Sequence, residues 1–184
     1  MNEISLSRRA FAGAALAFGA SGLLTGNALA ALPERRLAFR NVHTNERVDA
    51  RYYGADGYDR EGLAEINHGL RDWRTGTIHP IDHDLLNLLT RVRDTLGLSE
   101  GTPFDLISGY RSPATNAMLR EEGGAHTGVA SRSQHLIGKA TDVRLSGVPL
   151  AKLRLAALHL QGGGVGYYPR DGFVHIDSGP VRMW

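Results

Sequence analysis

Two histidines and one aspartate in the second half of the chain are the side chains most able to do chemistry. The stretch SQHLIGKATD contains His135 and Asp142, and the later stretch FVHID contains His175. Gly138 lets the backbone fold back between the first two, and the β-branched neighbours of Asp142 favour a strand. Apolar residues flank His175 on both sides, so strand periodicity directs its imidazole to the opposite face. Two strands of one sheet can therefore bring the three side chains together.

This side-chain set suits a catalytic zinc ion. Two imidazoles and one carboxylate leave a fourth position open, whereas closed structural zinc sites usually take four protein ligands. The chain has no cysteine, so any metal must be bound by His, Asp or Glu. Zinc would lower the pKa of a bound water towards ~7 and act as a Lewis acid on a carbonyl group. The spacing of His135 and Asp142 is also two helical turns, so a solvated helical pair remains the alternative for these two residues alone.

The elements that must position these residues follow from periodicity and from turn and cap residues. Helices dominate the earlier part and short strands the later part, which indicates an α+β fold. The expected elements are a hairpin of residues 36–41 and 47–53, helices over 59–74, 82–97 and 149–161, a helix after Ser112, a strand ending at Ser108, and strands at ATDVRL, GVGYY and FVHIDS.

Three sequence blocks carry a resemblance to a known family. Ser133, His135, Gly138, Ala140 and Asp142 form the pattern SxHxxGxAxD, the block SGYRS precedes it, and a strand histidine follows it. Three separated blocks in this order resemble the LAS group of zinc metallopeptidases, named for lysostaphin, D-Ala-D-Ala metallopeptidases and the sonic hedgehog domain. The segments SGYRSPATN and GGGVGYYPRDGFVHIDSGPVRMW are most similar to the murein endopeptidase K type of periplasmic enzyme.

The resemblance implies a fold and an activity. The fold would be a small antiparallel sheet that carries the zinc site and packs against several helices. The activity would be hydrolysis of peptidoglycan peptide cross-links, from D-Ala to diaminopimelate or between two diaminopimelates. One alternative is a carboxypeptidase, which needs a cationic pocket that Arg132, Arg144 or Arg170 could supply. The other is a zinc-containing module that binds murein without cleaving it, as the hedgehog branch suggests.

Arg111 is the first candidate catalytic residue. It matches the arginine of the family block SGYR, whose implied role is to stabilise the anionic tetrahedral intermediate. A fixed guanidinium donor there could contribute ~3 kcal/mol. The alternative is a structural arginine that pairs with a carboxylate such as Asp105.

The general base departs from the family pattern. Many LAS enzymes carry a histidine two residues, or an acid three residues, before the last ligand, and this chain has Phe173 and Gly172 there. Asp177 lies on the same strand face as His175, so it could accept a proton or orient the imidazole. Asp177 is the first candidate and Asp171, in the preceding turn, is the second. Tyr110, Tyr167 and Tyr168 could line a substrate groove or simply pack at a sheet edge.

The first thirty residues read as an export signal. SRRAF precedes an apolar, small-residue run that closes on ALA, and glycines interrupt the run before ~20 apolar residues accumulate, which argues against a permanent membrane anchor. Paired arginines resemble the twin-arginine route and imply a periplasmic protein. Residues 31–184 would then form a single metallopeptidase domain, expected to be a monomer. The net charge of +2 is too small to indicate nucleic-acid binding.

Overall fold

The computed structural model describes residues 34–122 and 130–184 of the 184-residue chain. The expected signal peptide, residues 1–30, lies outside this part, so that assignment stays a prediction. The elements are β1 (Arg35–Asn41), β2 (Arg47–Gly54), β3 (Gly57–Tyr58), α1 (Arg60–Gly69), α2 (His83–Thr95), β4 (Phe104–Ser108), α3 (Pro113–Glu122), a 3-10 turn (Gln134–Ile137), β5 (Ala140–Leu145), α4 (Leu150–Leu160), β6 (Gly164–Tyr168), β7 (Phe173–Asp177) and β8 (Arg182–Met183).

One eight-stranded sheet organises the described residues, in the order β3-β2-β1-β4-β5-β7-β6-β8. The α+β class is confirmed. The sheet is larger than the small sheet expected, and it is not purely antiparallel, because β1 pairs with β4 and β6 pairs with β8 in parallel. The N-terminal hairpin of β1 and β2 forms as expected. Its first strand then pairs with β4, which joins the hairpin to the sheet that carries the candidate site.

Helix boundaries follow their cap residues. The Asp82 carboxylate accepts hydrogen bonds from the backbone N–H groups of Asp84 and Leu85, and α2 ends just before Gly97, at φ 70°, as expected. Helix α1 ends at Gly69, whereas a helix to residue 74 was expected. The chain turns there instead: the Asp72 N–H donates to the Thr77 carbonyl at 3.0 Å.

The core lies on one face of the sheet. Helices α2 and α4 pack against each other and against strands of the sheet, and α1 packs against β2. Val143 of β5 and Val174 and Ile176 of β7 are fully buried in this core. Because side chains alternate along a strand, the neighbouring Asp142 and His175 project from the other face. Within the described residues, no helix is long and apolar enough to cross a membrane.

Candidate active site

Two central strands and one short turn bring the three candidate ligands together. Strands β5 and β7 pair antiparallel with Asp142 directly opposite His175. His135 lies in the 3-10 turn that precedes β5. One donor atom from each residue lies within 4.8 Å of those of the other two, and all three residues are buried. The observed arrangement has the convergence that the sequence suggested for a metal site.

Gly138 makes the connection between the turn and β5. It closes the 3-10 turn at φ 68°, a conformation that favours glycine, and an added Cβ would meet the Pro80 carbonyl oxygen. Ser133 caps the other end of the turn by accepting a hydrogen bond from the His135 N–H. The helical-pair alternative for His135 and Asp142 is therefore wrong, because a left-handed residue separates a 3-10 turn from a strand.

Hydrogen bonds on the far side of each imidazole fix which nitrogen faces the cluster. His135 Nδ1 lies 2.6 Å from the Gly109 carbonyl oxygen, so it is the protonated nitrogen and Nε2 faces inward. His175 Nε2 lies 2.9 Å from Asp177 Oδ2, which leaves Nδ1 facing inward. That Nδ1 is 3.2 Å from His135 Nε2 and 2.8 Å from Asp142 Oδ1. Three hydrogen-bond acceptors thus point at one another, an arrangement that requires a shared proton or a cation.

The pKa values of the three groups reflect this crowding. Burial opposes ionisation of Asp142, but the two imidazoles outweigh it and lower the pKa of the carboxyl well below its ordinary range. Burial lowers the pKa of His135. Burial also acts to lower the pKa of His175, but hydrogen bonds to Asp142 and Asp177 raise it. The site therefore contains a carboxylate and at least one neutral imidazole, which are the protonation states that bind metal ions.

Arg111 enters the site from the residues that follow β4. Its backbone N–H donates to the His135 carbonyl at 3.2 Å, and its Nη2 lies 3.6 Å from Asp142 Oδ2. The side chain is buried, and its Nε has no partner among the described residues. The expected alternative partner, Asp105, instead pairs with Arg40 at 2.7 Å and with Arg144 at 3.4 Å. The Arg111 guanidinium therefore lies beside the candidate ligands, and its Nε–H is available to donate a further hydrogen bond.

The Asp177 carboxylate is fully buried and its oxygens are committed to other groups. Oδ2 accepts from His175 at 2.9 Å and from Arg182 at 2.6 Å. Oδ1 accepts from Arg182 and from the backbone N–H groups of Gly164 and Gly179. Burial acts to raise the pKa of Asp177, but these hydrogen bonds lower it to about 2. The arrangement favours the orienting role over that of a general base. Asp171 is exposed and does not line the pocket described next.

A pocket of about 130 Å³ opens beside the cluster. Of the three tyrosines considered as groove residues, only Tyr168 lines it, because Tyr110 is buried against His79 and Tyr167 packs against the core. Among the three arginines considered for a cationic pocket, only Arg132 lines it. The described lining residues are Arg111, Ala130, Arg132, Ser133, Gln134, Asp142, Tyr168, Phe173, His175, Arg182 and Trp184.

Sequence reasoning missed Arg182 and Trp184. Both lie in or directly after β8, which is only two residues long and has no hydrophobic periodicity of its own. Strand periodicity did contain a signal, because Gly164 and Gly166 of β6 stand opposite Asp177 and His175. Two positions without side chains on the site face leave space that another element can fill. Which element fills it depends on the parallel pairing of β8 with β6, which no local pattern indicated.

Known proteins with similar sequences indicate the family of the chain. Residues 29–184 match the family Peptidase_M15_2, described as peptidoglycan L,D-endopeptidase MepK. The peptidoglycan L,D-endopeptidase MepK of Escherichia coli (strain K12) is 45% identical over 150 residues, 82% of this chain and 80% of that protein. The probable peptidoglycan L,D-endopeptidase MepK of Haemophilus influenzae is 41% identical over 158 residues, 85% of this chain and 83% of that protein. No solved structure shows significant similarity. By the extent of these matches, the chain belongs to the peptidoglycan L,D-endopeptidase MepK family of peptidases.

Proposed function

We propose that this protein is a zinc-dependent peptidoglycan endopeptidase that hydrolyses peptide cross-links containing D-amino acids or diaminopimelate. The observation that carries the proposal is the cluster of three inward-facing acceptors, His135 Nε2, His175 Nδ1 and Asp142 Oδ1, with a guanidinium beside it. The relatives are named as peptidoglycan L,D-endopeptidases, which supports the substrate class.

The donor set fits zinc. Two imidazole nitrogens and one carboxylate oxygen, without thiolate, form the protein half of a catalytic site with an open position. Zinc bound there would supply Lewis acidity and activate water for attack on the scissile amide. The Gly109 carbonyl and the Asp177 carboxylate hold the two imidazoles from behind, as such partners do in zinc sites, and thereby fix the tautomer and the direction of each ring.

Arg111 is assigned to the charge that develops on the carbonyl oxygen. The guanidinium is buried close to Asp142, so it acts where water screens charge poorly. Burial lowers the pKa of Arg111 while Asp142 counteracts that effect, and an arginine remains cationic under such conditions. Asp177 is assigned as a positioning carboxylate that acts through His175.

Cross-link hydrolysis has better support than removal of a terminal residue. The relatives are named as endopeptidases. Of the three arginines considered for a free terminal carboxylate, Arg144 pairs with Asp105 and Arg170 is exposed away from the described lining, whereas Arg132 lines the pocket. The substrate is extracytoplasmic, so export through the twin-arginine pattern of residues 7–11 and a periplasmic location belong to the same proposal. We propose that the exported domain acts as a monomer.

Mass analysis of digests tests the function. Purified protein loaded with zinc is incubated with cross-linked murein dimers and, separately, with monomeric pentapeptide. We expect the dimers to be cleaved and His135→Ala to lose cleavage, while His159→Ala, which changes an exposed histidine of α4, retains it. Cleavage of the pentapeptide alone would indicate the carboxypeptidase. Intact dimers that nonetheless bind the protein would indicate the binding module.

A further inference from the structure

The segment Arg182–Trp184 reaches the site across two glycines. Gly164 and Gly166 are the residues of β6 that stand opposite Asp177 and His175, on the site face of the sheet. Strand β8 lies on the far side of β6, with Arg182 beside Gly164. Since neither glycine has a side chain, the side chains of Arg182 and Trp184 can extend over β6 to β7.

The Trp184 indole is held in place by several contacts. Two hydrogen bonds join its backbone to β6: its N–H donates to the Val165 carbonyl, and its carbonyl accepts from the Tyr167 N–H. Its Nε1 donates to the Tyr168 hydroxyl at 2.7 Å. Its ring centroid lies 5.2 Å from that of His175, and the Arg182 guanidinium lies 5.0 Å from the indole. A Cβ on Gly166 would approach the indole to 2.7 Å, so the ring depends on glycine at that position.

The fixed indole is nevertheless half open to solvent. Trp184 is 47% exposed and lines the pocket beside the cluster. Tyr168 of β6 and Phe173 of β7, whose rings stack at 4.7 Å, complete an aromatic wall with Trp184 along this side of the pocket. Arg111 and Arg132 line the same pocket but come from the residues after β4 and before β5. The pocket therefore has aromatic rings along one side, together with Arg182, which is paired with Asp177, and has Arg111 and Arg132 on the other side.

We propose that Trp184 is a specificity-determining residue, whose indole supports the aliphatic side-chain stem of a diamino-acid residue that contributes the carbonyl group of the scissile bond. The inference rests on the proposed function and names the substrate part that this pocket selects. The side chain of such a residue has several methylenes and ends in a carbon that bears an amino group and a carboxylate. The methylenes match the aromatic wall, and the carboxylate matches the arginines that face it. A residue truncated to a methyl group would leave the indole without a partner.

Two peptides and four variants test this role. Both peptides are cross-linked dimers, and they differ in the residue that contributes the carbonyl group of the scissile bond, which is diaminopimelate in the first and D-alanine in the second. For Trp184→Ala we expect kcat/KM for the first peptide to fall about tenfold, mainly through KM, because an apolar contact of one or two methylenes changes discrimination by this order. For the second peptide we expect less than a twofold change. Trp184→Phe should retain most of the discrimination.

Two further variants distinguish the loss of the aromatic wall from a general disturbance of the structure around the site. Gly166→Ala leaves tryptophan in the chain but displaces it, so it should reproduce the effect of Trp184→Ala. Met183→Ala is the matched control, because Met183 is 69% exposed and adjoins Trp184 without lining the pocket. An equal loss for both peptides, or loss of bound zinc from Trp184→Ala, would show that Trp184 acts only through His175 and would overturn the proposal. No loss for either peptide would overturn it too.

A binding measurement keeps the test independent of hydrolysis. The chain has two tryptophans, so Trp73→Phe leaves Trp184 as the sole tryptophan reporter. We expect its fluorescence to change when the metal-free protein is titrated with the first peptide, with about tenfold weaker affinity for the second. Equal affinities or an unchanged signal would contradict the proposal. If neither peptide is cleaved by the zinc-loaded protein but the titrations differ as expected, the proposed function fails, whereas the binding preference at Trp184 is retained.

Discussion

At the scale of single residues, His175 has a partner at each of its ring nitrogens and an aromatic neighbour beside its ring. Nδ1 faces Asp142, Nε2 donates to Asp177, and the Trp184 indole lies against the ring. A histidine so constrained has one inward-facing nitrogen and little rotational freedom. Little conformational entropy is therefore lost when His175 binds a metal. Removal of a residue that supports His175 should first lower the affinity for the metal.

Asp177→Asn tests whether Asp177 positions His175. Both carboxylate oxygens accept hydrogen bonds, so either orientation of the asparagine amide places an NH₂ group against donors from Arg182 and a second group. We expect zinc affinity to fall about 10- to 100-fold, measured by competition with a chelator. Asp171→Asn changes an exposed acid in the preceding turn and should leave affinity unchanged. Loss of kcat with normal zinc affinity in Asp177→Asn would instead assign Asp177 as a base.

Arg111→Lys tests the charge-stabilising assignment. Lysine keeps the positive charge but lacks the planar fork that can donate to Asp142 and to a carbonyl oxygen together. We expect kcat to fall about 10²- to 10³-fold, the cost of removing one preorganised donor, with zinc content near that of the unchanged protein. Steady-state kinetics and metal analysis measure the two quantities. Arg170→Lys, at an exposed position, is the control, and a normal kcat in Arg111→Lys would remove Arg111 from the mechanism.

At the scale of elements, a buried carboxylate fixes the start of α3 beside the site. Asp72 accepts from the Ser112 N–H at 2.9 Å and from the Arg74 N–H at 3.1 Å. Burial acts to raise the pKa of Asp72, but hydrogen bonds from Thr115, Ser112 and Arg74 lower it to about 2. This contact joins the turn after α1 to Ser112, the residue that follows Arg111, and so helps to position the backbone of Arg111.

Asp72→Asn should therefore change stability in a pH-dependent way. The folded-state pKa lies below the ordinary value of 3.8, so the stabilisation is present above that value and is lost as pH falls towards about 2. We expect the variant to be on the order of 1 to 2 kcal/mol less stable near neutral pH, with the two proteins converging as pH falls to about 2. Denaturant unfolding at several pH values measures this. Asp56→Asn, an exposed control, should show no such convergence, and a constant difference in Asp72→Asn would contradict the linkage.

The sequence predicted most elements but not every contact between them. Caps and periodicity were sufficient for α2, α4, β6 and β7, because those signals are local. The end of α1 was wrong, since the Asp72–Thr77 turn replaces helical hydrogen bonds with contacts that periodicity does not report. The two hydrogen bonds from Arg182 to Asp177 were also not predicted. They depend on the parallel pairing of β6 with β8, a nonlocal contact made by a very short strand.

At the scale of the whole molecule, the two faces of the sheet have different roles, since one packs the apolar core and the other presents the candidate site residues. The face covered by α2 and α4 holds the apolar core, and the other face presents Asp142, His175 and Asp177. His135 and Arg111 are added from segments at the ends of strands, where loops can vary without disturbing the core. This division gives the three candidate ligands a rigid support and leaves the pocket beside them open.

Metal removal should reveal how far the site contributes to the stability of the whole domain. Without a metal, the three inward-facing groups must share a proton. A metal bound only by the folded state stabilises it by about 4 kcal/mol at a thousandfold excess over Kd. For a domain of this size we expect chelation to lower Tm by on the order of 10 °C. Differential scanning calorimetry with and without chelator measures the shift. His135→Ala should have a low Tm that chelation no longer changes, and His159→Ala should behave like the unchanged protein. An equal Tm for the zinc-loaded and chelated forms would contradict a metal site built from His135, Asp142 and His175.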